Sequence, residues 1–159
     1  MKNKFLIIGL LVLLLINAGC SNISRDTKNL NKGDSSMVRA KVLAGSTTPY
    51  IEFTQEAYDK ALKENKTIVL YFYANWCPEC KIEQKETITA FNELKLDNVI
   101  GFRVNYKDSD TDDNEVNLAK ENGISYQHTK VIIKNSKQVL KAPDRWNKER
   151  YINEITKYA

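Results

Sequence analysis

The segment Trp76–Cys80, which reads WCPEC, follows directly after the continuous apolar run Ile68–Ala74. A short apolar, aromatic-rich run of this kind predicts a strand that is buried on both faces. In a helix that starts after this strand, residues three apart share one face, with Cβ atoms about 5–6 Å apart. A disulfide needs a Cα separation of about 4.4–6.8 Å, so Cys77 and Cys80 can form and break one with little backbone movement.

Cys77 lies at the predicted start of that helix, where unpaired backbone N–H groups and the helix dipole stabilise an anion. We therefore expect Cys77 to be the attacking thiolate. Pro78 suits the first helical position, which needs no N–H group. A permanent structural disulfide is disfavoured because so short a loop contributes little entropic stabilisation. The sequence therefore predicts a redox-active pair.

Strand and helix signals alternate through the rest of the chain. Three residues are predicted helix N-caps: Thr54, Asp112 (in a capping box with Glu115) and Asn147. The first of these helices is expected over residues 55–65, with Phe53 and Tyr58 packing across its cap, and the second is expected to end at Gly123. The helix after the dithiol is expected over Pro78–Leu94, with four residues inward: Ile82, Ile88, Phe91 and Leu94. Strands are expected at residues 68–74, 99–106, 131–133 and 138–141, with a possible edge strand near residues 50–53.

This order of elements determines the expected fold class. Strand–helix–strand units require parallel neighbouring strands, and the hairpin near the end of the chain adds an antiparallel one. We expect an α/β domain with a mixed central sheet and helices on both faces. The dithiol then lies at the carboxyl end of a central strand, where open α/β sheets place their sites.

The first 20 residues have the pattern of a secretory signal, in which two lysines precede the apolar run Phe5–Ile16 and small residues follow it. Twelve apolar residues are too few for a helix that spans a bilayer. The run Ala18–Cys20 resembles a bacterial-type lipobox, in which Cys20 is lipidated after cleavage, although Asn17 stands where an apolar residue is usual. An ordinary cleaved signal and an uncleaved anchor are the alternatives.

Residues 21–48 are polar and lack apolar periodicity, so we predict a flexible tether that leads to one folded domain at residues 49–159. Removal of the two lysines in the signal changes the formal net charge from +4 to +2, and the charges are interspersed. No nucleic-acid partner is therefore expected. We expect an exported monomer that is anchored through Cys20 on the extracytoplasmic face of a membrane.

The domain resembles the thioredoxin superfamily. The resemblance is carried by Ile68–Cys80, by Gly123 and Ile124, and by Thr129–Asn135, and it extends over essentially all of residues 49–159. It implies a thioredoxin fold and thiol–disulfide exchange with protein thiols and disulfides. Cys77 would be the nucleophile and Cys80 the resolving cysteine, and an unidentified membrane or extracytoplasmic donor or acceptor would supply or remove electrons. No cofactor and no resident metal is expected besides the redox-active pair.

Several neighbours of the dithiol are expected to shape the site: Tyr71, Trp76, Pro78, Glu79, His128 and Thr129. Trp76 corresponds to the aromatic residue that packs beside the dithiol in the superfamily. Tyr71 stands where the superfamily usually has a buried acid, and a phenol is a poor base at neutral pH. This departure disfavours turnover as a reductase, and a docking protein that has lost turnover is one alternative.

His128 aligns with the position of the superfamily's cis-proline, so the Gln127–His128 bond is expected to be either trans or a strained cis bond. The alignment places the only histidine of the chain against Cys77 and Cys80. His128 could tune the thiolate, shape the substrate groove, or complete a three-ligand site for zinc or copper. The last possibility makes a metal-binding or metal-delivery module the main alternative function. Glu79 favours a reducing pair and a charged His128 an oxidising one, so the direction of electron flow stays open.

Overall fold

The computed structural model of this chain describes residues 40–159. The signal at residues 1–20, its candidate lipidation site Cys20 and residues 21–39 of the predicted tether lie outside the described residues. None of the helices in the described part is both long enough and apolar enough to cross a membrane. The elements are β1 Val42–Ala44, β2 Tyr50–Glu52, α1 Gln55–Lys63, β3 Thr67–Tyr73, α2 Pro78–Glu93, β4 Val99–Asn105, α3 Asp113–Glu121, β5 Lys130–Lys134, β6 Lys137–Ala142 and α4 Lys148–Tyr158.

The strands form one mixed sheet in the order β1-β2-β4-β3-β5-β6. Strands β2, β4 and β3 are parallel, whereas β1, β5 and β6 each pair antiparallel with a neighbour. Helices α1 and α3 cover one face, and helices α2 and α4 cover the other. The thioredoxin-type α/β architecture expected from the sequence is confirmed, and β3 is a central strand.

The helices start at the residues that the capping pattern predicts. Thr54 Oγ1 accepts a hydrogen bond from the Ala57 amide. Asp112 and Glu115 form the complete capping box of α3, and the Asn147 side chain caps α4. Each cap satisfies N–H groups that the helix itself leaves unpaired, which is why these boundaries are readable from sequence.

The folded domain begins earlier than residue 49, which corrects the predicted tether over residues 40–48. Val42–Ala44 form a strand that pairs with β2, so β2 is not at the edge of the sheet. Thr48 is fully buried, and its Oγ1 exchanges hydrogen bonds with the backbone of Leu96. Three residues are too few for a strand signal, and only the partner strand identifies them as one.

Helix α2 faces the sheet with a different stripe from the one expected. Ile82 is 43% exposed, whereas the next residue, Glu83, is completely buried. The inward stripe is Cys80, Glu83, Thr87, Ala90 and Phe91. The prediction that Ile82 points inward is therefore wrong. The orientation of Cys80 toward the sheet sets the rotation of the helix and carries Glu83 inward with it, because residues three apart share a face.

Candidate active site

The dithiol lies where β3 ends and α2 begins. Cys77 is the N-cap of α2, and Pro78 occupies the first turn, as the sequence predicts. The Cys77 amide donates to Ala74 O at 3.1 Å, and Cys77 Sγ accepts from the Cys80 amide at 3.3 Å. Both cysteines are free thiols; Cys77 is 3% exposed and Cys80 is completely buried. The arrangement leaves Cys77 as the thiol nearer to solvent.

His128 lies against both thiols. Its Nε2 atom is 3.3 Å from Cys77 Sγ, and its Nδ1 atom is 3.9 Å from Cys80 Sγ. The His128 side chain is 18% exposed. The structure thus places the histidine and the cysteine pair together, as the alignment to the cis-proline position predicts. Cys77, Cys80 and His128 are also the residues here that could hold a metal, since their ligand atoms lie within 4.8 Å of one another.

The backbone around His128 is fixed by the sheet. The Gln127–His128 bond is trans, like the other peptide bonds of residues 40–159. His128 has φ +67°, a conformation in which histidine is enriched among non-glycine residues. Its amide donates to Phe72 O, and Thr129 O accepts from the Phe72 amide, both at 2.9 Å. Thr129 is buried and donates through Oγ1 to Tyr126 O. These bonds hold the imidazole over the end of β3.

A buried carboxylate, Glu83, lies beneath the dithiol and was not among the predicted site residues. Its Oε1 atom accepts from Lys130 Nζ at 2.5 Å, from the Trp146 amide at 2.9 Å and from Tyr151 Oη at 3.0 Å. Its Oε2 atom lies 3.3 Å from both Tyr71 Oη and His128 Nδ1. Four O–H and N–H donors around two oxygens, with His128 Nδ1 as a fifth when that nitrogen carries the ring proton, match an ionised carboxylate, which is an acceptor only.

Lys130 provides the compensating charge. Burial lowers the pKa of Lys130, and the adjacent Glu83 opposes that change. Lys130 Nζ also donates to His128 O at 2.6 Å and to Asp144 O. The five side chains of this group are called the buried polar cluster below: Tyr71, Glu83, His128, Lys130 and Tyr151. The cluster connects β3, α2, β5 and α4 directly below the two thiols.

Glu83 provides a buried acid near the dithiol, although Tyr71 occupies the position where the superfamily usually has one. Tyr71 is completely buried, and Cys80 O and Glu83 Oε2, each 3.3 Å from its Oη, share its single hydroxyl proton. Burial raises the pKa of Tyr71 far above its usual range, so the phenol is a donor and not a base. The acid absent from β3 is thus supplied by α2, one helical turn after Cys80. The inward spacing of Cys80, Glu83 and Thr87 is the sequence signal that could have identified it.

The two cysteines differ in their electrostatic surroundings. Burial, and then the hydrogen bond with Cys77, raises the pKa of the Cys80 thiol to about 12. Cys80 is therefore protonated at neutral pH and needs a proton acceptor before it can attack a disulfide. His128 Nδ1 lies 3.9 Å from Cys80 Sγ, and Glu83 Oε2 lies 3.3 Å beyond that nitrogen, so the two groups lead from this thiol into the buried polar cluster.

The remaining predicted site residues form the rim. Trp76 is 55% exposed, and its Nε1 donates to Lys107 O, so its ring borders the dithiol without being buried against it. Pro78 is also exposed. Glu79 is exposed and pairs with Arg145 at 2.8 Å. The Arg145 guanidinium offsets the negative charge that Glu79 would otherwise place beside Cys77.

Comparisons with known proteins agree with this architecture. A family model described as Thioredoxin matches residues 49–157. The chain is 36% identical over 107 residues to Thioredoxin 2 of Plasmodium berghei (strain Anka), a match that covers 67% of this chain and 61% of that protein. It is 27% identical over 111 residues to the Thiol:disulfide interchange protein DsbE of Yersinia pestis, covering 67% and 56%. The chain thus spans about three-fifths of the length of these curated relatives.

A solved structure shows the same fold. The thioredoxin from Aeropyrum pernix superposes with a TM-score of 0.57 at 18% sequence identity, covering 77% of this chain and 98% of that one. At this identity the likeness concerns the fold. The geometry of the dithiol, His128 and Glu83 is the part of the structure from which a function can be argued.

Proposed function

Because this chain belongs to the thioredoxin family, we propose that it is a thiol–disulfide oxidoreductase that uses Cys77 as nucleophile and Cys80 as resolving cysteine. The observation that carries the proposal is the contact of Cys77 Sγ with His128 Nε2 at 3.3 Å, at the start of α2. A thiol beside a base and a helix N-terminus has the surroundings of a reactive cysteine.

His128 activates Cys77. Glu83 Oε2 accepts the Nδ1–H proton of the ring, and this assigns Nε2 as the acceptor that faces Cys77. Nucleophile, base and orienting carboxylate then follow one another in the order used by cysteine–histidine nucleophiles. The proton of Cys77 moves to Nε2, and the resulting imidazolium is stabilised by Glu83. Of the roles considered from the sequence, His128 is thus assigned that of tuning the Cys77 thiolate.

The exchange proceeds in two steps. The Cys77 thiolate attacks one sulfur of a partner disulfide, forms a mixed disulfide and releases the other partner sulfur as a thiolate, which takes the proton from His128. Cys80 then loses its proton and attacks Cys77 Sγ, which breaks the mixed disulfide, and the released partner thiolate takes up that proton. The products are the Cys77–Cys80 disulfide and a second partner thiol. The partner gains two electrons and two protons, and the same steps in reverse oxidise a partner dithiol.

The second step requires a proton acceptor for Cys80, because the pKa of its thiol is raised to about 12. In the mixed disulfide, His128 again carries its proton on Nδ1, bonded to Glu83 Oε2 at 3.3 Å. Nδ1 accepts the proton of Cys80, whose Sγ lies 3.9 Å away, as it passes its own proton to Glu83. Glu83 is paired with Lys130 inside the buried polar cluster, so the proton moves only between groups of that cluster.

We also propose that the domain works outside the cytoplasm, attached to a membrane through Cys20. The support is the signal pattern of residues 1–20 and the polar composition of residues 21–39. The partners would be proteins with exchangeable thiols or disulfides, together with an extracytoplasmic electron donor or acceptor, and the chain would act as a monomer. Labelling of Cys20 with a fatty-acid analogue in a bacterial host, with Cys20→Ala as control, tests the anchor.

Trapping of the mixed disulfide tests the exchange itself. In the full chain, Cys80→Ala removes the resolving thiol, so a disulfide-containing protein substrate should stay linked to Cys77 on a non-reducing gel. Cys77→Ala is the matched control, which keeps the buried Cys80 and should form no adduct. Equal adduct formation by both variants, or none by either, would contradict the assigned roles.

The reduction potential of the Cys77–Cys80 pair decides the direction of electron flow. A value near about −230 to −270 mV indicates a reductant, and one near about −120 to −180 mV an oxidant or isomerase. Equilibration in glutathione or dithiothreitol buffers, followed by thiol alkylation, measures it. A pair that forms no reversible disulfide in any of these buffers would rule out the proposed function.

A further inference from the structure

The reduced site brings together two sulfur ligands and one imidazole. Cys77 Sγ, Cys80 Sγ and one ring nitrogen of His128 lie within 4.8 Å of one another. Ligand atoms around a zinc-sized ion lie about 2.0–2.3 Å from it. Two ligand atoms bound to the same ion are therefore at most about 4.0–4.6 Å apart, which is slightly less than the 4.8 Å found here. The three side chains can therefore close on one ion with small side-chain adjustments.

The surroundings of His128 favour this use of its ring. Metal-bound histidines generally donate their second N–H to a carboxylate, which fixes the ring and raises its basicity. Glu83 Oε2 lies 3.3 Å from Nδ1, so Nε2 is the atom left to face Cys77. Lys130 binds His128 O, and the His128 amide is bonded to Phe72 O. Both the ring and its backbone are therefore oriented before any ion arrives.

We propose that the reduced protein binds one thiophilic d¹⁰ cation, Cu⁺ or Zn²⁺, through Cys77 Sγ, Cys80 Sγ and His128 Nε2. Thiolate and imidazole are the ligands that select these ions. Three protein ligands suit three-coordinate Cu⁺, or Zn²⁺ with an exchangeable fourth ligand. This function goes beyond disulfide exchange, although it uses the same thiols.

Binding and disulfide formation exclude each other. Each ion replaces the protons of two thiols, so binding releases up to two protons per ion and leaves no free thiol to oxidise. A Cys77–Cys80 disulfide has no thiolate to offer. The site would therefore take up the ion when the pair is reduced, and a Cys77–Cys80 disulfide formed while the ion is dissociated would keep the site empty.

The test uses the full chain, reduced with a phosphine and kept free of oxygen. Zn²⁺ and Cu⁺ are titrated separately in competition with a chromophoric chelator, and the affinity and stoichiometry are measured. We expect one ion per chain for at least one of the two cations, with alkylation of both thiols blocked by the bound ion. The disulfide form should show no competition with the chelator.

His128→Asn is the matched variant, because asparagine tolerates the positive φ of this position but offers no imidazole. Loss of one of three ligands should weaken binding at least tenfold, since even altered second ligand shells cost about 10–100-fold. The Cys80→Ala adduct assay, repeated in the His128→Asn background, shows separately whether Cys77 still reacts. Adduct formation should also slow in this background, because His128 is the base for Cys77, so the loss of ion binding is judged from the chelator competition alone.

X-ray absorption on the loaded native chain gives a test that does not depend on the variant folding. Two sulfur ligands at about 2.3 Å and a nitrogen ligand at about 2.0 Å are expected for Zn²⁺. Coordination without a histidine nitrogen, undiminished affinity in His128→Asn, or failure of both ions to compete with the chelator would overturn the proposal.

Discussion

The two faces of the central sheet are built differently, and neighbouring residues of β3 show this. Leu70 and Phe72 point into the cluster under α1 and α3, where they pack against apolar side chains such as Phe102. Tyr71, between them, points to the other face and contacts Cys80 O and Glu83. The two faces are equally buried at these positions, since Leu70, Tyr71 and Phe72 are all fully buried. They differ in whether buried polar groups accompany the apolar ones.

The face that holds buried polar groups is the one that contains the dithiol. A buried ion pair such as Glu83–Lys130 is rarely a net source of stability, because desolvation offsets the attraction between the charges. The pair lies beneath the only two thiols of the described domain. We infer that this face retains charge to move protons at the dithiol, whereas the face under α1 and α3 mainly provides stability.

The largest effect is expected when one partner of the buried pair is removed. Glu83→Gln leaves Lys130 buried without a countercharge, which should lower the free energy of unfolding by about 3–5 kcal/mol. Urea denaturation of the reduced protein measures it. The double variant Glu83→Gln, Lys130→Met removes both charges and should recover much of the loss. If the double variant is as unstable as the single one, the charge imbalance is not the cause.

Leu70→Ala tests the apolar face. Loss of a fully buried leucine side chain should lower the free energy of unfolding by about 2–5 kcal/mol. The rate at which the mixed disulfide resolves should nevertheless stay within about twofold of the native rate, under conditions where both proteins are folded. Glu83→Gln should slow that step at least tenfold, because His128 loses its charged partner. Equal slowing by both variants would show that the rate follows stability and not the buried acid.

The pH dependence of stability should report on Cys80. The pKa of its thiol is raised from about 9 to about 12 by folding, so above pH 9 the folded reduced chain keeps a proton that the unfolded chain has lost. The contribution of Cys80 is therefore fully present below about pH 9 and is lost as the pH rises toward 12. Subtraction of the same profile for Cys80→Ala removes the titration of other groups. Parallel profiles for the two proteins would contradict the raised pKa.

Tyr71→Phe should have the smallest effect of the set. It removes the hydroxyl proton that Cys80 O and Glu83 Oε2 share, and it keeps the ring. The expected loss in the free energy of unfolding is about 0.5–1.5 kcal/mol. Exchange should continue, because Glu83 and not Tyr71 is assigned to the proton path. Complete loss of exchange in a folded Tyr71→Phe protein would assign the phenol a direct role.

Local chemistry in the sequence was enough to predict most of the elements. The helix caps at Thr54, Asp112 and Asn147 and the stop at Gly123 depend on backbone groups within a few residues, so a single segment contains the information. Gly123 has φ +61°, the left-handed conformation that such a stop requires. The buried run before the dithiol and the cysteine spacing are local in the same sense, and they predicted both the central strand and the position of Cys77 at a helix start.

Tertiary structure decided the features that depend on distant partners. Val42–Ala44 become a strand only because β2 lies beside them, and a three-residue polar-flanked segment carries too little signal of its own. Glu83 is buried because Lys130, Tyr151 and the Trp146 amide, 47 to 68 residues further along the chain, all donate to its Oε1 atom. A carboxylate in a helix is ordinarily exposed, since burial without such partners is prohibitively costly. The sequence determined where the dithiol stands; the fold determined which acid lies beneath it, because only packing brings the compensating donors together.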